Sequence, residues 1–117
     1  MKKFSSTQVA ARAQQRIERI REALTAIDTL CSGTLLKSLM KCGKPNCRCH
    51  KDPAARHGPY YRWGHMQAGK LVHRYVSSEQ AQVLRQAIAN YRTAKKLMRA
   101  WEVETERLID AQAPRKS

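Results

Sequence analysis

Three cysteines fall within the run Lys41-Cys42-Gly43-Lys44-Pro45-Asn46-Cys47-Arg48-Cys49-His50, and His57 follows at the head of His57-Gly58-Pro59-Tyr60. Zinc takes four soft or borderline donors in a tetrahedron. Cys42-x4-Cys47-x-Cys49 supplies three thiolates from one turn tightened by Gly43 and Pro45. His57 is the expected fourth ligand. His50 is the alternative, disfavoured because adjacent Cys49 and His50 would have to bite the same ion. Lys41, Lys44, Arg48 and Lys51 surround the turn; their positive field favours the thiolate form that a metal needs and offsets the net negative charge of a Cys3His zinc site.

Other uses of these residues fit less well. A turn interrupted by Lys, Pro, Asn and Arg makes poor hydrophobic core. No Cys-x-x-Cys sits in a βαβ pattern, as a thioredoxin-like redox site would require. A catalytic zinc keeps an open position and usually has a carboxylate base at hand, yet Asp52 is the sole acid between residues 33 and 76. The expected metal is therefore structural. No nucleophile–base pair or paired carboxylates appear, so no catalytic residues are assigned and the chain does not read as an enzyme. Cys31 falls on an apolar helical stripe and reads as core. His65 and His73 read as cross-strand neighbours and not as a second metal site.

Elements must position this cluster, and the expected class is α+β, with two long terminal helices and a small zinc-stapled antiparallel three-stranded sheet between them. Three segments of one domain are expected: a helix in 1–32, the β knob in 33–76, and a long helix with a disordered tail in 77–117. In the first, Ala13, Ile17, Ile20, Leu24, Ile27 and Cys31 alternate spacings of three and four, the mark of a heptad seam. This predicts a helix over 6–30, stopped by Ser32-Gly33. In the last, Leu84, Ala87, Tyr91, Ala94, Met98, Trp101, Thr105 and Leu108 repeat the pattern. Ser77-Ser78-Glu79-Gln80 fits a capping box, predicting a helix over 79–111. Neither stripe is buried alone, and an antiparallel coiled-coil-like hairpin answers both. It would set the acidic ridge Glu102, Glu106 and Asp110 beside Arg12, Arg16 and Arg19. Pairing of the seams between two chains, as a homodimer, is the alternative.

In the middle segment, strands are expected over 35–41, 60–66 and 71–76. Gln67-Ala68-Gly69-Lys70 joins the last two as a hairpin. Period-two alternation puts Tyr61, Trp63 and His65 on one face with Leu71, His73 and Tyr75, leaving Arg62, Lys70 and Arg74 as a basic opposite face.

The charge points to a partner. The chain of 117 residues carries 23 Lys/Arg against 9 Asp/Glu, a formal net charge of +14. The segment 33–76 alone holds nine cations and one acid, a net +8. Such a surface attracts polyanions. No stretch reaches the roughly 20 apolar residues of a membrane span, and no secretory signal is read at the N-terminus. A cytoplasmic location is expected, where thiols stay reduced.

The strings Cys42-Gly-Lys-Pro-Asn-Cys-Arg-Cys49 and His57-Gly-Pro-Tyr-Tyr61, then Trp63, Gly69-Lys70 and Arg74-Tyr75-Val76, resemble an uncharacterised family of small bacterial and archaeal proteins, often encoded beside transposases and other mobile-element genes. The resemblance covers roughly residues 33–80, with a looser continuation through the C-terminal helix. It implies a common fold, a metal site at Cys42, Cys47, Cys49 and His57, and a role around DNA mobility.

Together these readings predict a zinc-binding accessory protein that recognises DNA by sequence or structure, with a transposase or recombinase as a further partner. The candidate nucleic-acid contacts are Lys44, Arg48 and Lys51 of the turn, Arg62, Lys70 and Arg74 of the sheet, and the ridge Arg85, Arg92, Lys96 and Arg99 on the last helix. A two-stranded ribbon fits a major groove. Tyr60, Tyr61 and Trp63 allow stacking on unpaired bases, although packing of sheet on helix is the simpler use of these aromatics. An RNA target and a protein adaptor recruiting through the helical seams are the competing functions.

Overall fold

The computed structural model describes residues 5–112. The tail at 114–117, expected to be disordered, lies outside the described residues. The elements run α1 (Ser6–Thr25), β1 (Thr34–Met40), two single-turn 3-10 helices (Arg48–His50 and Pro53–Ala55), β2 (His57–Gln67), β3 (Lys70–Val76) and α2 (Ser78–Asp110). Two helices thus flank a three-stranded antiparallel sheet of order β1-β2-β3, the expected α+β arrangement. No helix among the described residues is long and apolar enough to cross a membrane. Contacts divide the chain into two units, one of residues 29–89 and one of residues 1–28 with 90–117. The single helix α2 contributes its first turns to one and its last turns to the other.

Both helices start with reciprocal caps. The Ser77 hydroxyl accepts the Gln80 N–H at 3.1 Å, while the Gln80 side chain accepts the Ser77 N–H at 2.8 Å. Ser5 and Gln8 repeat the device at α1, at 3.2 and 3.0 Å. Each cap satisfies two backbone donors that the first turn leaves open, worth about 1 kcal/mol. The α1 helix stops at Thr25, five residues short of expectation. There the Thr25 hydroxyl turns back to the Arg21 carbonyl at 2.8 Å, and the Ile27 N–H bonds to the Leu24 carbonyl three residues back. That tightening closes the last turn. Ile27 and Cys31 keep their helical spacing but lie in the connection, both half-buried.

In the unit built from α1 and the end of α2, Ala13 and Ile20 are buried, with Ile17 and Leu24 half-buried beside them. The stripe read on α1 is therefore the stripe that packs. On α2 the packed positions in this unit are Ala94, Leu97, Trp101, Glu104 and Leu108. Met98 and Thr105, expected in the seam, are exposed. Tyr91, Ala94, Trp101 and Leu108 of the expected seam are packed, while Leu97 and Glu104 replace Met98 and Thr105, which brings a carboxylate into the stripe. Glu104 is 6% exposed and is met by Arg107 at 2.6 Å and Arg16 at 3.6 Å. Arg16 thus finds an acid on α2, but not one of the ridge Glu102, Glu106 and Asp110. Asp28 meets Asn90 at 3.5 Å, and Ser6 and Val9 line a hollow with Arg107 and Asp110. These contacts run in opposite directions along the two helices.

The other unit has the sheet against the start of α2. Val76, Ala81, Leu84 and Ile88 form its core, with Cys31, Leu35, Tyr61 and Trp63 packed around them. Cys31 is core, as its stripe suggested. Its N–H bonds to the Ala87 carbonyl at 3.2 Å. The hairpin between β2 and β3 turns on Ala68 and Gly69, with φ of 51° and 80°. Positive φ at both central residues gives the turn whose twist matches the strands.

That turn fixes a register unlike the expected one. Tyr61 pairs with Val76, Trp63 with Arg74 and His65 with Val72, so Val72, Arg74 and Val76 share the inner face with the aromatics. Leu71, His73 and Tyr75 fall on the outer face with Arg62 and Met66. Because side chains alternate every residue, an offset of one in the pairing exchanges the faces of a whole strand. His65 and His73 consequently lie on opposite faces. His65 stacks on Trp63 at 3.6 Å between ring centroids, and the His73 ring covers Gly64, where any β-carbon would collide with it.

Candidate metal centre

The sheet and a network of turn hydrogen bonds bring the cluster together. Strand β1 ends at Met40, which pairs with His57 at the head of β2 across a bulge. The antiparallel pairing therefore places His57 next to the segment that leads into Cys42. Between them the chain folds back on itself. The Cys47 N–H bonds to the Lys44 carbonyl at 3.1 Å, closing the turn around Pro45 and Asn46, and His50, Lys51 and Asp52 donate to the 3-10 turn behind them. Asp52 caps the next turn through the Ala54 N–H at 3.0 Å, and its other oxygen lies 3.4 Å from Arg48. The one acid of the knob is thus occupied on both oxygens.

One ligand atom from each of Cys42, Cys47, Cys49 and His57 lies within 4.8 Å of all the others. The Cys47 sulfur is 3.3 Å from His57 Nε2, and the Cys49 sulfur is 3.6 Å from that of Cys42. A tetrahedral ion with metal–sulfur bonds of about 2.3 Å has edges of about 3.8 Å. The spacing thus suits a single ion at the centre, and three sulfurs with one imidazole are the donor chemistry for a borderline-soft one. His50 takes no part in this group. Its Nε2 lies 2.9 Å from the Cys42 carbonyl oxygen, tying the ends of the turn together.

Burial and charge grade the three sulfurs. Cys49 is 1% exposed, and its sulfur also accepts the Cys42 backbone N–H at 3.2 Å. Such N–H···S bonds orient a thiolate and offset part of its charge. Sequence spacing gave no sign of this one, which exists because the turn brings residue 49 back over residue 42. The Cys47 thiol is drawn down from its ordinary value to about 6, first by a backbone hydrogen bond at Cys49 and then by the His57 ring. At Cys42 a backbone hydrogen bond at Lys44 favours the thiolate, but burial and the neighbouring Cys47 and Cys49 thiols together push its pKa up. Three thiolates so close repel one another, and a divalent ion removes that conflict.

The residues read as nucleic-acid contacts separate by face. Lys44, Arg48 and Lys51 are exposed around the metal turn, beside exposed Lys41 and Arg56. Arg62 stands on the outer face of the sheet. Arg74 does not, since its guanidinium lies over the inner-face Trp63 ring at 5.5 Å. Lys70 closes the hairpin opposite Gln67. The expected basic face is therefore reduced to Arg62, and its neighbours are aromatic and apolar. Tyr75 pairs directly with Arg62, and Tyr60 meets Tyr75 edge-on at 6.5 Å. On α2, Arg85 lies over Tyr61 at 5.4 Å, while Arg92, Lys96 and Arg99 are exposed. Tyr61 and Trp63 are spent on packing, and the Trp63 indole N–H donates to the Ser32 carbonyl at 3.0 Å.

No curated protein and no solved structure matches the chain. One family does, described as Domain of unknown function (DUF6788), over residues 10–86. The matched span takes in the whole metal turn and sheet. It also begins inside α1, where the sequence offered no motif, and ends in the first turns of α2. More than half of the chain being covered, cysteine cluster included, the protein belongs to this family of unknown function.

Proposed function

We propose that the protein is a zinc-stapled nucleic-acid-binding module that docks a polyanion on its basic β knob. The observation that carries this reading is the placement of exposed cations around a metal-sized Cys3His cluster that has almost no apolar core of its own. Lys41, Lys44, Arg48, Lys51 and Arg56 are all exposed there, against one acid that is already paired. A fold that concentrates a net +8 in residues 33–76 bears a self-repulsion that a phosphate backbone relieves. Zinc fits the donor set of three cysteines and one histidine. Bound there, it would hold the turn rigid and keep the thiols ionised, and the protein residues would make the contacts to nucleic acid.

The outer sheet face suggests how bases are met. Tyr60 and Tyr75, 42% and 61% exposed, flank Arg62, with Leu36 opposite Arg62 on β1. Flat, exposed aromatics beside an arginine suit stacking on unpaired bases, and they suit it better than a row of basic residues entering a duplex groove. We therefore favour a strand with unpaired segments, DNA before RNA, such as arises when mobile elements are cut and joined. Pairing of α1 and α2 as an antiparallel coiled-coil-like stalk completes this reading.

Mobility-shift titrations with single-stranded DNA, duplex DNA and single-stranded RNA test it. Binding through about six phosphates gives a log–log salt slope of about −4 for single strands and −5 for duplex. Tyr75→Ala should weaken binding to a single strand by about tenfold or more and leave duplex binding nearly unchanged. Lys44→Ala should weaken all three ligands alike. Absence of any shift at about 50 mM salt would overturn the reading.

A further inference from the structure

The last turns of α2 carry an apolar face that the described chain leaves largely open. Met98, Trp101, Thr105 and Ile109 form it, with Glu102 and Glu106 along one edge, around a hollow of about 380 Å³. Met98 is 56% and Ile109 64% exposed. The packing stripe toward α1 runs through Ala94, Leu97, Glu104 and Leu108, and half-buried Trp101 borders both, so the exposed Met98, Thr105 and Ile109 mark a second face. At about 100° per residue, Met98, Thr105 and Ile109 fall within about 40° of each other, and Lys95, Arg99, Glu102 and Glu106 line up along one flank of them.

The charge along that flank identifies the occupant. Residues 92–99 hold Arg92, Lys95, Lys96 and Arg99 and no acid. Residues 102–110 hold Glu102, Glu104, Glu106 and Asp110 against Arg107 alone. Glu104 is taken by Arg16 and Arg107. Among the described residues, Glu102 and Glu106 have no ion-pair partner, and Lys95 has only the ring of Tyr91 on its own helix, at 5.7 Å.

We propose that two copies of this chain pair through this face, α2 against α2, antiparallel across a twofold axis between residues 100 and 101. The arrangement sets Arg99 against the partner's Glu102 and Lys95 against the partner's Glu106, and each pair occurs twice. Met98, Trp101, Thr105 and Ile109 of both copies fill the seam between them. A twofold interface must be complementary to itself, and a helix that is basic in one half and acidic in the next meets that requirement only when its copy runs in the opposite direction. A parallel pair would set like charges together.

Sedimentation velocity on the nuclease-treated full chain at high micromolar concentration tests the proposal, with circular dichroism to confirm that each variant folds. The native chain should sediment as a dimer, and Met98→Glu as a folded monomer. The double variants Lys95→Glu/Arg99→Glu and Glu102→Lys/Glu106→Lys should each dissociate, since their flanks become uniformly acidic or basic. Mixed one to one, they should form a heterodimer, because the reversed charges again face their opposites. A native chain that stays monomeric would overturn the proposal, and so would a dimer indifferent to Met98→Glu. Folded double variants that fail to pair when mixed would overturn the antiparallel register.

Discussion

Between residues 41 and 57 only Cys49 is buried, whereas buried positions recur along α2 at Ala81, Leu84, Ala87, Ile88, Ala94 and Glu104. The turn holds its shape through short-range backbone hydrogen bonds and through four ligand atoms gathered around one point. The helices hold theirs by apolar stripes that pack over many turns. Hydrophobic burial contributes about 25 cal/mol per Å² removed from water, and a turn with one buried cysteine removes very little. A metal ion can supply what burial does not. With a metal bound as proposed, the order of residues 41–57 would be linked to the ion and that of the helices to apolar area, and the two would respond to different perturbations.

Removing the metal separates them most sharply. Binding to structural Cys/His sites contributes on the order of 10 kcal/mol. A zinc chelator, or Cys49→Ser, should abolish hydrogen-exchange protection across residues 41–57 while leaving most of the helical dichroism of α1 and α2 intact. Cooperative loss of the whole helical signal would show that the regions are not distinct.

Acid tests the same site through its thiols. Metal binding displaces whatever proton a ligand still carries. At pH 8 Cys47, with its pKa near 6, has already ionised and releases none. Cys42, raised above its ordinary value, is still protonated and does. As the pH falls through about 6, Cys47 gains a proton that the metal must displace, so each further unit of pH costs an additional tenfold in affinity. Isothermal titration across pH 5–8 should show the slope steepening there. A slope that is constant through pH 6 would contradict the assignment of Cys47.

Two substitutions probe the regions outside the Cys/His cluster. Gly33 precedes β1 with φ of 115°, and a β-carbon there would press on the Gly64 carbonyl and stand 2.7 Å from Trp63 Nε1. Gly33→Ala should lower the stability of the sheet unit by about 2–3 kcal/mol, read as a lower midpoint in denaturant. The smallest effect is expected at Glu104. Its carboxylate lies in an apolar stripe, with Oε2 lacking a hydrogen-bond partner. Arg16 and Arg107 are each about half exposed and can turn to water. Glu104→Leu should therefore be neutral or stabilising by up to about 1 kcal/mol, whereas a loss of more than about 2 kcal/mol would make the ion pair a true support.

The sequence by itself determined the chemistry and the order of elements. Cysteine spacing, apolar periodicity and the capping residues are local signals, written in neighbours along the chain. They named Cys42, Cys47, Cys49 and His57 as one cluster, the Ser77–Gln80 cap and the stripe on α1. Tertiary structure alone decided between alternatives that differ by one residue of offset. The β2–β3 register took Arg74 inward over Trp63 and left Tyr75 outside, because the Ala68-Gly69 turn fixed which residues face each other. The α2 stripe settled on Leu97 and Glu104 in place of Met98 and Thr105, because a heptad pattern allows either line and only the position of α1 selects one. His57 prevailed over His50 for the same reason, since strand pairing across Met40 carries it to the sulfurs while the turn points His50 at a carbonyl. Local preference fixes which residues can act, and pairing between distant segments fixes the side on which they do so.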